Sequence, residues 1–292
     1  CLTNQVRAGI MKVTFRGAAI SGRLWLLFQL RKTTVTGPGG GCPVLYVGGH
    51  MTCLQDIAPL FAGWEETMVW SCLQGVMGRA EANADGSAAM IVNRDFVFLA
   101  GKPDPALLAK APGPILVPRT EDWNGPIEAV FGRKAVKESR YAVKKEPDVF
   151  DRKHLEGLAA ALPEGYTLRM IGEDLVPGLL GEGWSKDFCS AFDSPEDCCR
   201  RGVGVVAMYE GVPVAGAGSY SVYRGGIEVE IDTREDHRRR GLAAACGARL
   251  ILECLDRELY PSWDAIDLRS VALAEKLGYH RGEEYTTYWL ER

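Results

Sequence analysis

Several features are missing from this 292-residue chain, and each absence removes a class of function. Its nine cysteines, at 1, 42, 53, 72, 189, 198, 199, 246 and 254, include no Cys-x-x-Cys pair and show no pairing logic. That spacing argues against a disulfide framework or a cysteine zinc site and for reduced thiols in a cytoplasmic protein. The four histidines, His50, His154, His237 and His280, are too scattered for a His-based metal cluster, so no metal is expected. There is no Gly-x-x-x-x-Gly-Lys-Ser/Thr loop, no Gly-x-Ser-x-Gly elbow and no His-Glu-x-x-His. Gly216-Ala217-Gly218 lacks the third glycine of a dinucleotide fingerprint and lies inside an expected strand. A net charge of −4 argues against a general nucleic-acid binder.

Acidic residues are also missing from one region. Residues 1–50 hold six Lys and Arg and no Asp or Glu. All 38 acids and the other 28 Lys and Arg fall in 51–292, which gives that part a net charge of −10. The first segment starts at Cys1, carries the glycine run GPGGG at 37–41, and has the apolar patch RLWLLFQLR at 23–31. That patch is well short of the ~20 residues of a membrane-spanning helix, and no membrane association is expected. The segment reads either as a targeting peptide or, the reading preferred, as a non-native or disordered extension, with the folded chain starting near Met51.

What remains is a globular composition, 47% apolar and 25% charged, long enough for two domains. The expected division is an N-terminal α/β domain over 51–146 and a second domain over 147–292. In the first, a helical pattern runs over 54–83, with Trp64, Met68, Cys72 and Val76 on an i, i+4 row. Strands are expected at 89–92 and 96–99. Six of the 15 prolines crowd into 103–126 around the apolar run 115–117, followed by a helix at 122–131 and a strand at 140–143. In the second, helices are expected at 152–161, 173–180, 195–201, 242–259 and 268–277. Strands are expected at 167–171, 203–209, 213–223, 227–233, 262–266 and 285–290. The order implies α/β, a mixed sheet layered with helices.

The most informative stretch is GIEVEIDTREDHRRRGLAAA, 226–245. A strand runs through a charged turn into a long helix, and Arg238, Arg239 and Arg240 stand just ahead of that helix. Arginines are badly placed there, because the N-terminal end of the macrodipole is already positive. An anion would remove the conflict and take up the free N–H groups of the first turn. This marks a phosphate or pyrophosphate site. Strand 227–233 alternates strictly, with Ile227, Val229 and Ile231 on one face and Glu228, Glu230 and Asp232 on the other. On an exposed strand these carboxylates face solvent; on a central strand they line a cleft.

The pattern Arg238-x-x-Gly241-x-Ala243 after a strand resembles motif A of the GNAT (GCN5-related N-acetyltransferase) superfamily. The segment WDAIDLRSVALAEKLGYH, 263–280, is similar to that superfamily's Asn-x-x-Ser/Ala-x-x-Leu-Tyr-x-x-x-Gly-Phe segment through Ser270, Leu273, Gly278 and Tyr279. SCLQGVMGRA, KKEPDVFD, EIDTRED and LYPSWDA further resemble the two-domain bacterial GNAT acetyltransferase-like family. The resemblance implies a C-terminal GNAT fold, acetyl-CoA as cosubstrate, and transfer of an acetyl group to a small-molecule or exposed protein amine by direct attack. It implies that Ile231, Asp232 and Thr233 offer backbone groups to pantetheine and the acetyl carbonyl. The turn Arg238, Arg239, Arg240, Gly241, Leu242 and Ala243 would hold the diphosphate. Asp267, in place of the usual asparagine, and Ser270 complete the expected cofactor contacts.

Glu230 is the expected general base, with Glu228 second; either needs a raised pKa to serve. Many relatives place a tyrosine after the leucine of the last helix to protonate the thiolate, and here Ala274 stands there. Tyr285 and Tyr288 are candidate substitutes, while Tyr279 aligns with a core aromatic. The departure keeps open a second reading, a non-catalytic acyl-CoA-binding or regulatory protein. Acceptor identity and oligomeric state are not legible.

Overall fold

A computed structural model describes residues 44–47 and 50–291, with side chains from Leu54 onward. The expectation for 1–50 therefore falls largely outside the described residues; within it, β1 (Val44–Val47) pairs antiparallel with β2 (His50–Cys53).

The helix expected over 54–83 is broken. α1 (Leu54–Ile57) passes into a 3-10 turn at Ala58–Phe61, and α2 (Thr67–Leu73) follows separately. Pro59 cannot donate within a helix interior, and Gly63 and Gly75 adopt φ of 76° and 67°. The i, i+4 row survives only as Met68 and Cys72, both buried on α2. Trp64 instead packs outside the helix, stacked on Phe61 and edge-on to Phe98. The remainder of that window is β3 (Arg79–Ala82), which starts an antiparallel meander with β4 (Ala88–Asn93) and β5 (Phe96–Gly101). Next come α3 (Pro105–Leu108), β6 (Ile115–Pro118), α4 (Asn124–Phe131) and β7 (Ala135–Val143).

Beyond β7 lie α5 (Arg152–Ala160), β8 (Tyr166–Met170), α6 (Val176–Gly181) and α7 (Pro195–Arg201). Then follow β9 (Val205–Tyr209), β10 (Val212–Tyr223), β11 (Gly226–Thr233) and α8 (Leu242–Asp256). β12 (Tyr260–Ser262), β13 (Asp264–Ala265), α9 (Leu268–Lys276) and β14 (Arg281–Leu290) complete the described chain. The single strand expected over 262–266 is thus two, interrupted at Trp263.

Two mixed sheets result. One has the order β12-β11-β10-β9-β8, antiparallel except for the parallel pair β11–β12. The other has the order β13-β7-β14-β6-β5-β4-β3, so β13 and β14 join strands formed before residue 147. A mixed α/β architecture is what the sequence pattern implies.

α8 is held by burial on nearly all sides. Leu242, Cys246, Leu250 and Cys254 form an i, i+4 row against Val205, Ala207, Ala215 and Ala217 of the five-stranded sheet. Ala248, Ile251 and Leu252 pack against Leu155 of α5 and Trp263. A Leu→Ala change at Leu250, which is fully buried, should cost about 2–5 kcal/mol. The narrow polar stripe carries Arg249–Glu253 and Glu253–Arg257 ion pairs at 2.8 and 2.9 Å. On the opposite face of the sheet, Gly216 and Gly218 make room for Phe188, whose ring would lie 2.6 Å from a Cβ at Gly216. Close packing against a 3-10 turn, Lys186–Phe188, explains that Gly-Ala-Gly run.

Candidate active site

β11 and β12 run side by side only from Gly226 opposite Tyr260 to Glu228 opposite Ser262. Past Ser262 the chain turns away, and Asp264–Ala265 pairs with β7 in the other sheet. β11 continues to Thr233 bonded on one side to β10, its other edge facing a cavity of about 740 Å³. The opening follows directly from a strand that changes sheets.

One end of the cavity is basic. Gly241, at φ 81°, leads into α8 without a side-chain cap, so the first-turn N–H groups of Leu242 and Ala243 have no side-chain acceptor. Arg239 is also left-handed, at φ 63°, which folds the turn tightly around the helix end. Arg238 is tied back to its own strand. Its Nε donates to the Thr233 carbonyl at 2.9 Å, and Nη2 lies 3.6 Å from Asp232. Arg238, Arg239, Gly241, Leu242 and Ala243 line the cavity together with Ile231, Asp232 and Thr233. Arg240 does not. It reaches back toward the Asp236 carbonyl at 3.4 Å. Across the opening, Asp267 and Ser270 also line the cavity. Asp267 accepts from the Arg269 and Ser270 amides at 2.9 Å each, capping α9, and pairs with the Arg269 guanidinium at 2.6 Å. The Ser270 hydroxyl accepts from Trp263 Nε1 at 3.1 Å.

The other end is acidic and aromatic. Glu230 lines it, and among the described residues its carboxylate has no hydrogen-bond partner. Loss of hydration, reinforced by the charge of Asp187, pushes its pKa up to about 7, against the opposing pull of Arg94 and Arg140. That value suits a base working near neutrality. Asp95, Phe96 and Tyr220 stand beside it, with Tyr220 donating to Asp95 at 3.2 Å. Arg140 and Asp264 form an ion pair at 2.6 Å, both 12% exposed, and Tyr285 donates to the same Asp264 at 2.6 Å.

The structure separates the two glutamates. Glu228 is 6% exposed, lies outside the cavity lining, and accepts from the Thr67 hydroxyl of α2. It faces Glu66, whose carboxylate caps α2 through the Met68 amide at 3.2 Å. Burial pushes both carboxyls well above the usual range; the charge of Glu66 adds to the shift of Glu228, Asp264 adds to both, and Lys145 pulls the other way. At neutral pH the pair holds on to a proton.

Ala274 lies on the inner face of α9 at 1% exposure, so a side chain there faces the core. Tyr279 donates to the Pro261 carbonyl at 2.7 Å and packs on Trp263 and Phe150, as a core aromatic. Tyr288 donates to Glu128 at 3.0 Å in a separate core against α4, away from the cavity. Of the two tyrosine candidates only Tyr285 approaches the site, and its hydroxyl is held by Asp264. Sequence reasoning missed Asp95, Phe96, Tyr220, Trp263 and Trp289, all in the lining. The one local signal was the Arg94-Asp95 turn between two apolar strands, which marks a hairpin tip but no chemistry.

A mixed α/β sheet opened at one parallel pair above an uncapped helix N-terminus defines a fold of the GCN5-related acetyltransferase class. The family assignment agrees: the sequence model of the GNAT acetyltransferase family matches residues 58–288, and the chain belongs to that family. It is similar to a GCN5-related N-acetyltransferase-like protein from Streptococcus suis 89/1591. The two are 42% identical with a TM-score of 0.78, over 82% of this chain and 98% of that one. It is also 28% identical over 177 residues to the uncharacterized N-acetyltransferase YdfB of Bacillus subtilis (strain 168), covering 58% of this chain. The match spans 63% of that relative's length. Among the described residues no group of three or more His, Cys, Asp or Glu side chains could hold a metal ion, and no helix is long and apolar enough to cross a membrane.

Proposed function

We propose that this protein is an acetyl-CoA-dependent N-acetyltransferase that modifies the amine of a small molecule or an exposed protein amine in a ternary complex. The observation that carries the reading is the continuous cavity. It joins a helix N-terminus without a side-chain cap, flanked by Arg238 and Arg239, to the Glu230 carboxylate, which among the described residues accepts no hydrogen bond. The residues fit the cosubstrate. A diphosphate would be held by the first-turn amides of α8 and by Arg238 and Arg239. The open edge of β11, through the backbone of Ile231, Asp232 and Thr233, would hold the pantetheine arm and orient the acetyl carbonyl. Asp267 is spent largely on capping α9, so Ser270 and the α9 backbone are left as the contacts on that side.

The cosubstrate supplies an acetyl group activated as a thioester. A C–N bond forms at the carbonyl carbon as the C–S bond breaks. Of the two protons that a bound ammonium gives up, one leaves through Glu230 and one ends on the coenzyme A thiol. Glu230 accepts its proton because burial has raised its basicity, and Asp95 helps draw the cation in. Glu228, sealed behind Thr67, supports the strand instead. The described cysteines, including buried Cys72, Cys246 and Cys254, are free thiols, which suits a reducing cytoplasm.

Ala274 favours the second reading, an acyl-CoA-binding protein without turnover. Calorimetric titration of the full chain with acetyl-CoA, combined with coenzyme A release in the presence of amines, separates the two. Binding that weakens in Arg238→Ala, with turnover lost in Glu230→Gln, supports the transferase. Binding with no turnover across an amine library supports the alternative, and no binding at all sinks both.

A further inference from the structure

Resting on that reading of the cavity, we propose that the acceptor is a primary amine borne on an apolar, aromatic-sized body with no carboxylate beside it. The walls at the Glu230 end supply the first observation. Phe96 and Tyr220 meet edge-to-face at 5.9 Å, and Ile115 and Trp289, which follow Phe96 in register across β6 and β14, continue that lining. Trp289, the exposed member of that row, offers a flat apolar acceptor a face to bury itself against, and a strongly hydrated acceptor gains nothing from it.

The mouth supplies the second. Few large apolar side chains are exposed among the described residues, and two of them line this cavity. Ile266 is 58% exposed and Trp289 is 40% exposed, and both line the cavity. Val136, 37% exposed, is the cross-strand partner of Trp289 on β7. Side chains kept in water at the rim of a cavity mark the place a ligand covers.

Charge supplies the third and decides between apolar acceptors. Among the described residues the Glu230 carboxylate has no hydrogen-bond partner, and Asp95 accepts from the Tyr220 hydroxyl. The two cations that act on Glu230, Arg94 and Arg140, are already committed. Arg140 is paired with Asp264 and lies over the Phe96 ring at 5.0 Å. Arg94 is paired with Asp187 at 2.5 Å, donates to the Tyr220 carbonyl, and covers the Tyr220 ring at 4.0 Å. The end that receives the acceptor therefore attracts an ammonium, while Arg94 and Arg140 are not free to receive a carboxylate. An amino acid would bring its carboxylate against Glu230 and Asp95. A polyamine would satisfy the acids but leave the aromatic walls unused.

The test follows coenzyme A release by the full chain with phenethylamine, L-phenylalanine or spermidine as acceptor, alongside acetyl-CoA titration by calorimetry. The expected result is a kcat/KM for phenethylamine at least about tenfold above both others. Trp289→Ala, at a half-exposed site that should not unseat the fold, should raise the phenethylamine KM about five- to tenfold. It should leave the acetyl-CoA Kd unchanged. The proposal is overturned if spermidine or phenylalanine is used as well as phenethylamine, if none of the three is acetylated while acetyl-CoA binds, or if the folded Trp289→Ala protein keeps the parental KM. Failure to bind acetyl-CoA would be a different result, since it removes the transferase reading itself.

Discussion

The two ends of the cavity were built by different routes. The basic end comes from one continuous stretch, where β11 runs through Arg238 and Arg239 into α8. The acidic end is gathered from a hairpin tip at Asp95, from β10 at Tyr220, from β11 at Glu230 and from β14 at Trp289. A feature that binds an anion through backbone amides needs only a local chain path. One that selects an acceptor needs surfaces from several elements, and these can change independently of the diphosphate site. On the proposed reading, anion binding at one end is generic, while proton transfer and acceptor recognition share the other end and are particular to this chain.

The sharpest way to break that division is Glu230→Gln. It should lower kcat by about 10²–10⁴-fold while the acetyl-CoA Kd stays within about twofold, as read by coenzyme A release and calorimetry. An equal loss in both would mean that the two ends are not separable. The pH profile comes next. With the Glu230 pKa at about 7, kcat/KM should fall about tenfold per pH unit below that value and level off above it. A profile flat down to pH 5.5 would remove Glu230 as the base.

Arg238→Ala tests the other end. It should weaken acetyl-CoA about tenfold in calorimetry with little change in kcat, because a charge-assisted contact to phosphate is lost. Arg240→Ala, outside the lining, should do much less.

The smallest expected effect separates Glu228 from Glu230. Glu228 and Glu66 have folded-state pKa values raised by burial. The unfolded chain releases these protons near the ordinary carboxylate range and the folded chain later. Their contribution to stability is therefore full below the ordinary carboxylate pKa and is lost as pH rises from there through the raised values. Denaturant melts of the parent should lose on the order of 1–3 kcal/mol between pH 5 and 9 from this pair. Glu228→Gln should flatten that slope and leave turnover nearly intact.

Much of the basic end was legible in the sequence, because Arg238, Gly241 and Ala243 carry their meaning in local spacing. The alternation of β11 was equally legible, and it places Ile227, Val229 and Ile231 toward the hydrophobic cores around α8. The split at Trp263 was not. Residues 262–266 read as one strand, since nothing local says that Asp264 will pair with β7 and form an ion pair with Arg140. The broken helix over 54–83 was missed for a different reason. Its apolar spacing matched a helix, while Pro59, Gly63 and Gly75 set the breaks. Asp95 and Trp289 carry no motif at all. Their place in the cavity is a property of strand order, which single-chain periodicity does not encode.

That strand order also bears on how the molecule is made. β14 lies between β6 and β7 and bonds to both. During synthesis, β6 and β7 emerge well before the strand that joins them, and each waits with an unpaired edge. The early half of the chain cannot close its own sheet until residue 290 has left the ribosome. Ribosome-stalled chains halted before β14 should therefore be a substrate for chaperones even though most of their core sequence is already in hand.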